Sequence, residues 1–334
     1  MSEWTPKKRF LDSLALKKVD RAPVLSVTQT GTLDQMKATG AYWPKAHREA
    51  KLMAELAVAG HTLCGFEAVR LPFGLTGEAA TMGCEIDYHE ERSDFTPSVK
   101  KALTSTENLV VAEPTEGIMG QILEASKIVR EKVGDELPII AGVTGPFTIT
   151  GHLRGVDQVM KDLILNPQAV HSIQEVTCQV VTRFGKALHE NGVDAIALIE
   201  PNASIIGPTF FKKFVSQYMA KVVAGINAPT IMHTCGNSMP IMSLMIDTGV
   251  NGVSVDQKVN VGKAKAVIQG RAAIIGNVDP VSILLEKRPE DVVADCKRIM
   301  SEGTNVLAPG CGLSPYTPLD NIKAMVRVGK AGKI

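Results

Sequence analysis

This chain of 334 residues has almost no surplus of charge of either sign: 36 Lys and Arg stand against 35 Asp and Glu. Without a basic excess to displace counterions, a polyanion is excluded as the natural partner, and no nucleic-acid binding is expected. Long apolar runs are missing as well, so no membrane-spanning helix is expected. The opening MSEWTPKKRF has no apolar core, reads as no signal peptide, and points to a cytoplasmic protein. Cysteine is scarce, with six residues at 64, 84, 178, 235, 296 and 311 and no C-x-x-C among them. A disulfide scaffold is thereby excluded, and any cysteine that binds metal must meet its partners through the fold. Aromatics make up only 4% of the chain, which leaves Val, Ile, Leu, Met and Ala to build the core. P-loop, G-x-G-x-x-G and G-x-S-x-G motifs are also lacking, which removes support for nucleotide binding and serine hydrolysis.

What is present is an alternation of short apolar runs with longer amphipathic ones. The short runs cover 22–27, 67–72, 138–143, 195–200, 229–233, 252–256, 273–277 and 305–309. Most are rich in Val and Ile, as strands buried on both faces should be. Between them lie segments of helical period, clearest over 167–190, where Val170, Ile173, Val176, Val180, Phe184 and Leu188 recur at steps of three and four. That segment stops at Asn191-Gly192, and the segments 208–225, 289–301 and 318–328 each begin with a proline suited to a first helical turn. Eight strands alternating with helices predict a (β/α)8 TIM barrel, with a doubly wound open sheet as the competitor. One domain over 1–334 is expected, with an N-terminal helical extension and a β-excursion near 79–99 crossing the barrel mouth. Polar or reactive residues close successive strands at Glu200, His233 with Cys235, Asp256, Asn277 and Cys311, where a barrel places its active site.

The strongest local signal is Ile231-Met232-His233-Thr234-Cys235-Gly236-Asn237. Residues two apart on a strand share a face, so His233 and Cys235 point the same way. Imidazole plus thiolate is half of a zinc site; the alternative is a buried, hydrogen-bonded histidine beside a packed cysteine. Cys311, between Gly310 and Gly312, is the candidate second half, or else a small core cysteine in a glycine-rich turn. Glu200, which closes an apolar strand, is open to four roles: displaceable metal ligand, general base, acceptor for His233, or simple ion-pair partner. Cys64, Cys84, Cys178 and Cys296 read as packing residues, and His47, His89, His171 and His189 as solvated ones. His152 follows the third strand and faces the same rim.

Thr144-Gly145-Pro146-Phe147-Thr148, His233-x-Cys235-Gly236-Asn237, Gly276-Asn277-Val278-Asp279-Pro280 and Gly310-Cys311-Gly312 together resemble the uroporphyrinogen decarboxylase superfamily, along nearly the whole chain. That superfamily is a TIM barrel. Within it, the H-x-C…C pattern is similar to the zinc-dependent methylcobamide:coenzyme M methyltransferases of methylotrophic methanogenesis. The resemblance implies one Zn2+ held by His233, Cys235 and Cys311, with Glu200 in the fourth position until the thiol of coenzyme M displaces it. It further implies that the thiolate takes a methyl group from methylcobamide on a partner corrinoid protein and leaves cob(I)amide. Arg70, His152 and Arg154 are candidates for the sulfonate of coenzyme M, and Asn237, Asp256 and Asn277 are further substrate-binding candidates. True decarboxylases carry an arginine-rich N-terminal segment and an aspartate after the second strand. Here those places read Val27-Thr28-Gln29-Thr30-Gly31 and Arg70-Leu71-Pro72-Phe73-Gly74, which disfavours a substrate with many carboxylates. The alternatives are another acceptor (a different thiol or tetrahydrofolate), a decarboxylase-type lyase, or a silent subunit that binds a corrinoid protein or stores zinc.

Overall fold

Eight strands are present among residues 4–332, the part of the chain that the computed structural model describes: β1 (Val69–Leu71), β2 (Glu85–Asp87), β3 (Ser98–Lys101), β4 (Ile139–Thr144), β5 (Ala195–Ile199), β6 (Thr230–Thr234), β7 (Gly252–Val255) and β8 (Ala273–Ile275). Residues 1–3 and 333–334 of the expected 1–334 unit lie outside the described residues. Six strands form one parallel sheet in the order β1-β4-β5-β6-β7-β8. The runs 22–27 and 305–309 are not regular strands as expected, yet they close the barrel as two further staves. Val24 bridges Leu307, Ile275 bridges Val306 and Val278 bridges Pro309, all in parallel. On the other side the Glu67 amide donates to the Val24 carbonyl at 2.9 Å, which joins the first stave to β1.

Side-chain parity divides the staves cleanly. Leu25, Val27, Ala68, Ile140, Ala195, Ala197, Ile199, Ile231, Ala273, Ile275, Val306 and Ala308 form the interior cluster. The residues between them, such as Val69, Ala141, Ile196, Leu198, Met232, Val253 and Leu307, pack outward beneath the helices. This is the period of two expected of a pleated strand covered on both faces. The expected N-terminal helix is Pro6–Leu14, started by a Thr5 side-chain cap, and its Phe10 and Leu14 plug the lower end of the barrel. Arg9 and Arg21 fix that plug by pairing with buried Glu67 at 3.0 and 2.6 Å.

The expected β-excursion is a short helix, Gly77–Thr81, followed by the antiparallel pair β2–β3. It pairs with no stave, since β2 and β3 form a sheet of their own. The helical segment 167–190 is one helix, Pro167–Glu190, whose Asn166 side chain caps the Ala169 amide. Pro318 sits just outside its helix, Leu319–Ala331, with extended backbone, so it is the cap and not a first-turn residue. Among the described residues no helix is long and apolar enough to cross a membrane.

Candidate metal centre and cavity

Parity carries directly into the site. Ile231 faces the barrel interior and Met232 faces outward, so His233 at the end of β6 faces inward again. Cys235 follows on the same side, and Cys311 arrives from the loop after the eighth stave. His233 Nε2 lies 3.5 Å from the Cys235 sulfur, and the two sulfurs lie 3.8 Å apart. One ligand atom from each of the three residues falls within 4.8 Å of the others. His233 is buried, while both cysteines are half-buried and open to the cavity.

The other ring nitrogen, His233 Nδ1, is 3.0 Å from the Ser254 hydroxyl on the neighbouring strand β7, where His233 and Ser254 are in register. A proton held on Nδ1 by that hydroxyl leaves the Nε2 lone pair aimed at the thiols, the tautomer a metal needs. Proton sharing with Cys235 first, and then His233, draws Cys311 below the ordinary thiol range. The same contact, followed by burial, pushes Cys235 up. The pair therefore parts with its first proton readily and its second reluctantly unless a cation takes its place. Two soft sulfurs and one borderline nitrogen, with a vacant side toward the cavity, fit tetrahedral Zn2+ with an open position. Ser254→Ala should weaken zinc affinity about ten- to a hundredfold in a chelator competition while leaving the fold intact.

Glu200 does not join this cluster, which corrects the expectation of a fourth ligand. Ile199 lines the cavity, so Glu200, one residue on, turns to the helix layer. There its carboxylate is fully buried and accepts from the Phe147 amide at 2.9 Å, the Thr148 amide at 2.9 Å and the Thr148 hydroxyl at 2.7 Å. It thus caps the first turn of the helix Pro146–Arg154, whose amides have no partner within the helix. Burial pushes its pKa up to about 7 against the pull of those hydrogen bonds. A carboxyl raised in the folded state stabilises the fold fully only below its unfolded value of 4.5, and that stability is lost as pH rises through about 7. Thermal melts should therefore show stability falling between about pH 5 and 7 by an amount on the order of 3 kcal/mol, and Glu200→Gln should flatten that slope.

A cavity of about 580 Å³ opens above the cluster. Its floor holds His233, Cys235 and Cys311; its walls include Gln29, Arg70, Phe73, Leu75, His152, Ile199 and Leu313. Arg70 follows inward-facing Ala68 by two, so it too points inside, and its guanidinium occupies the place a side chain on Gly142 would take. Its Nε donates to the Val27 carbonyl at 3.2 Å and its Nη1 to the Pro72 carbonyl. Burial lowers its pKa to about 9, so it stays charged at neutral pH, and buried Glu78, whose own pKa burial raises, lies beside it. His152 also faces the cavity; burial holds it near 4 and hence neutral, and its Nδ1 has no hydrogen-bond partner.

The remaining candidates lie elsewhere. Arg154 does not reach the cavity; it pairs with Asp162 at 3.0 Å. Asn237 is an exposed turn residue that accepts from the Met239 amide. Asp256 accepts from the Lys258 amide at 2.9 Å and stands close enough to the cluster for its charge to help push the Cys235 thiol up, while buried Asn277 donates to the Asp256 and Val259 carbonyls and shapes that loop. Gly310 is required for a different reason than a sharp turn: the Gln257 amide nitrogen would lie 2.6 Å from any Cβ there. Ser254, Gln29 and the segment 94–99, all at or near the site, carry no motif; parity from Gly252 and Val27 was the available signal for the first two.

A family model for uroporphyrinogen decarboxylase (URO-D) matches residues 5–331. The methylcobamide:CoM methyltransferase MtbA of Methanosarcina acetivorans is 42% identical, with 99% of each chain covered. The methylcobamide:CoM methyltransferase MtaA of Methanosarcina barkeri is 40% identical over 98% of each chain. The uroporphyrinogen decarboxylase of Geobacter metallireducens is 23% identical over 95% of this chain and 96% of its own. Among solved structures, a methyltransferase from Methanosarcina mazei superposes with a TM-score of 0.95 at 38% identity, covering 98% of this chain and 99% of that one. The chain belongs to the uroporphyrinogen decarboxylase family, among the relatives named methylcobamide:CoM methyltransferases.

Proposed function

We propose that this protein is a zinc-dependent methyltransferase that moves a methyl group from methylcobamide, presented by a partner corrinoid protein, to the thiol of coenzyme M in methylotrophic methanogenesis. The observation that carries the reading is the His233–Cys235–Cys311 cluster at the floor of a cavity whose wall holds the charged guanidinium of Arg70. A molecule carrying both a thiol and a sulfonate suits a cavity lined by both a metal-binding cluster and a buried cation. Zinc held by His233, Cys235 and Cys311 would keep the acceptor sulfur as a thiolate at neutral pH.

The chain's own residues supply the rest. Ser254 fixes the His233 tautomer, and Arg70 orients the sulfonate so that the sulfur end falls to the cluster. Phe73, Leu75, Ile199 and Leu313 give the cavity apolar walls that exclude water from the nucleophile. Neutral His152 adds a hydrogen-bonding group without a second charge. Methylcobamide would supply the methyl group with cobalt as the leaving group, which keeps the bond's electron pair, and the thiolate sulfur held at His233, Cys235 and Cys311 would form the new bond to carbon.

The same lining argues against a decarboxylase, because Arg70 is the sole Lys or Arg among the described cavity residues. A substrate with many carboxylates would lack partners there. Offering the zinc-loaded protein two acceptors with methylcobalamin, and uroporphyrinogen separately, tests the assignment. Coenzyme M should be methylated and tetrahydrofolate should not, and uroporphyrinogen should keep its carboxylates; methyl-tetrahydrofolate as the main product would overturn the acceptor.

A further inference from the structure

The segment after β1 is the longest connection in the barrel, running from Pro72 to the helix Gly117–Val133, and it carries the pair β2–β3. Because that pair has no backbone pairing to any stave, side chains must set where its tip lies. The tip matters to the cavity, since Asp94, Phe95, Thr96, Pro97, Ser98 and Val99 are all part of the cavity wall. Asp94 is the pivot. Its Oδ1 accepts from Arg92 Nε at 2.8 Å, and its Oδ2 accepts from Arg92 Nη2 at 2.8 Å and from the Tyr316 hydroxyl at 2.7 Å.

Tyr316 belongs to the loop after the eighth stave, the loop that also carries Cys311 and supplies Gly312, Leu313 and Pro315 to the cavity. The Asp94–Tyr316 bond therefore joins two segments of the cavity wall, the hairpin tip and the loop bearing a cluster cysteine. Arg92, and then Tyr316, hold the Asp94 carboxyl well below the usual carboxylate range, so it is a charged acceptor at any physiological pH. Tyr316 itself is 59% exposed and has no role in the core. A second tie, from the Ser93 hydroxyl to the Trp43 carbonyl at 2.9 Å, seats the tip on the segment after the first stave.

On the reading proposed above, we infer that Asp94 and Tyr316 form a clasp that closes the β2–β3 hairpin over the cavity and retains coenzyme M there. They are positioning residues: they touch neither the sulfur nor the cobalt, and they set how long the thiol stays and not how fast the methyl moves. A small, water-soluble thiol held by one sulfonate contact and one sulfur contact gains most from such a cover.

Two variants test the clasp. In Tyr316→Phe, zinc content and kcat should stay within twofold of the parent, while the KM and Kd for coenzyme M rise about five- to tenfold. Asp94→Asn, which keeps an acceptor but loses the charge, should fall between the two. Amide exchange across 88–97, slowed by coenzyme M in the parent, should no longer be slowed in Tyr316→Phe. Unchanged Kd with unchanged exchange in both variants, or a fall in kcat at constant KM, would overturn the clasp. Binding and exchange are read without turnover, so a parent protein that binds coenzyme M but fails to transfer methyl would count against the proposed function alone.

Discussion

Cys311→Ala should lose its zinc on dialysis and at least about a hundredfold in methyl transfer to coenzyme M, a barrier increase of about 2.7 kcal/mol or more. The reason is local. Cys311 is a soft sulfur donor of the cluster, drawn below the ordinary thiol range by Cys235 and then His233. Without it the remaining imidazole and single thiol make a two-ligand site, short of the three protein ligands that a catalytic zinc uses. The acceptor thiol would then meet the methyl group mostly protonated, since a free alkyl thiol titrates well above neutral pH. Folding should survive, because Cys311 is half-buried in a loop. Cys296→Ala makes the matching control: that cysteine is fully buried in the helix Pro289–Glu302, so its loss should cost packing energy and no zinc. Metal analysis and initial rates on the two variants together separate a ligand from a core cysteine.

Arg70→Met should raise the KM for coenzyme M by roughly thirty- to a hundred-fifty-fold, the 2–3 kcal/mol expected of a buried charge-assisted contact. The side chain is 3% exposed, spends Nε and Nη1 on backbone carbonyls and packs Nη2 against Gly142, so its charge is held at the cavity wall. Methionine keeps the apolar length of the arginine and removes the charge, so the wall should persist. The decisive comparison is 2-mercaptoethanol, which has the thiol and no sulfonate. Its affinity should be poor and nearly equal in parent and variant. Equal losses for both thiols would mean that Arg70 supports the wall and does not bind the sulfonate.

Much of this arrangement was legible because strand parity is arithmetic. Counting by twos from Ile231 leads to His233, from Ala68 to Arg70 and from Val27 to Gln29, and all three line the cavity. The same count from Ala195 and Ala197 puts Ile199 inside and Glu200 outside. Reading Glu200 as a ligand thus gave weight to its place at a strand end over its parity. The two irregular staves, 22–27 and 305–309, were read as strands because their apolar character matches; their ladders are broken by neighbours such as Pro23 and Pro309, which have no amide to donate. His47 was read as solvated from its polarity, but its ring lies 4.7 Å from that of Trp43, beside Phe73, and is buried. Trp43 is only four residues before His47, but the His47 contact with Phe73, like the Asp94–Tyr316 bond, joins residues distant in sequence, and neither spacing nor composition encodes those two. Arg154 failed for a similar reason, since an acidic partner eight residues on, Asp162, claims it within the same helical excursion.

The most direct measurement follows the visible spectrum of free methylcobalamin mixed with coenzyme M and zinc-loaded protein under anoxic conditions. Methylcobalamin should disappear and cob(I)alamin appear only when coenzyme M is present, at a rate that vanishes after chelation and returns with added zinc. Equal rates with metal-free and zinc-loaded protein, or no coenzyme M-dependent change at all, would contradict a metal-activated thiol at His233, Cys235 and Cys311.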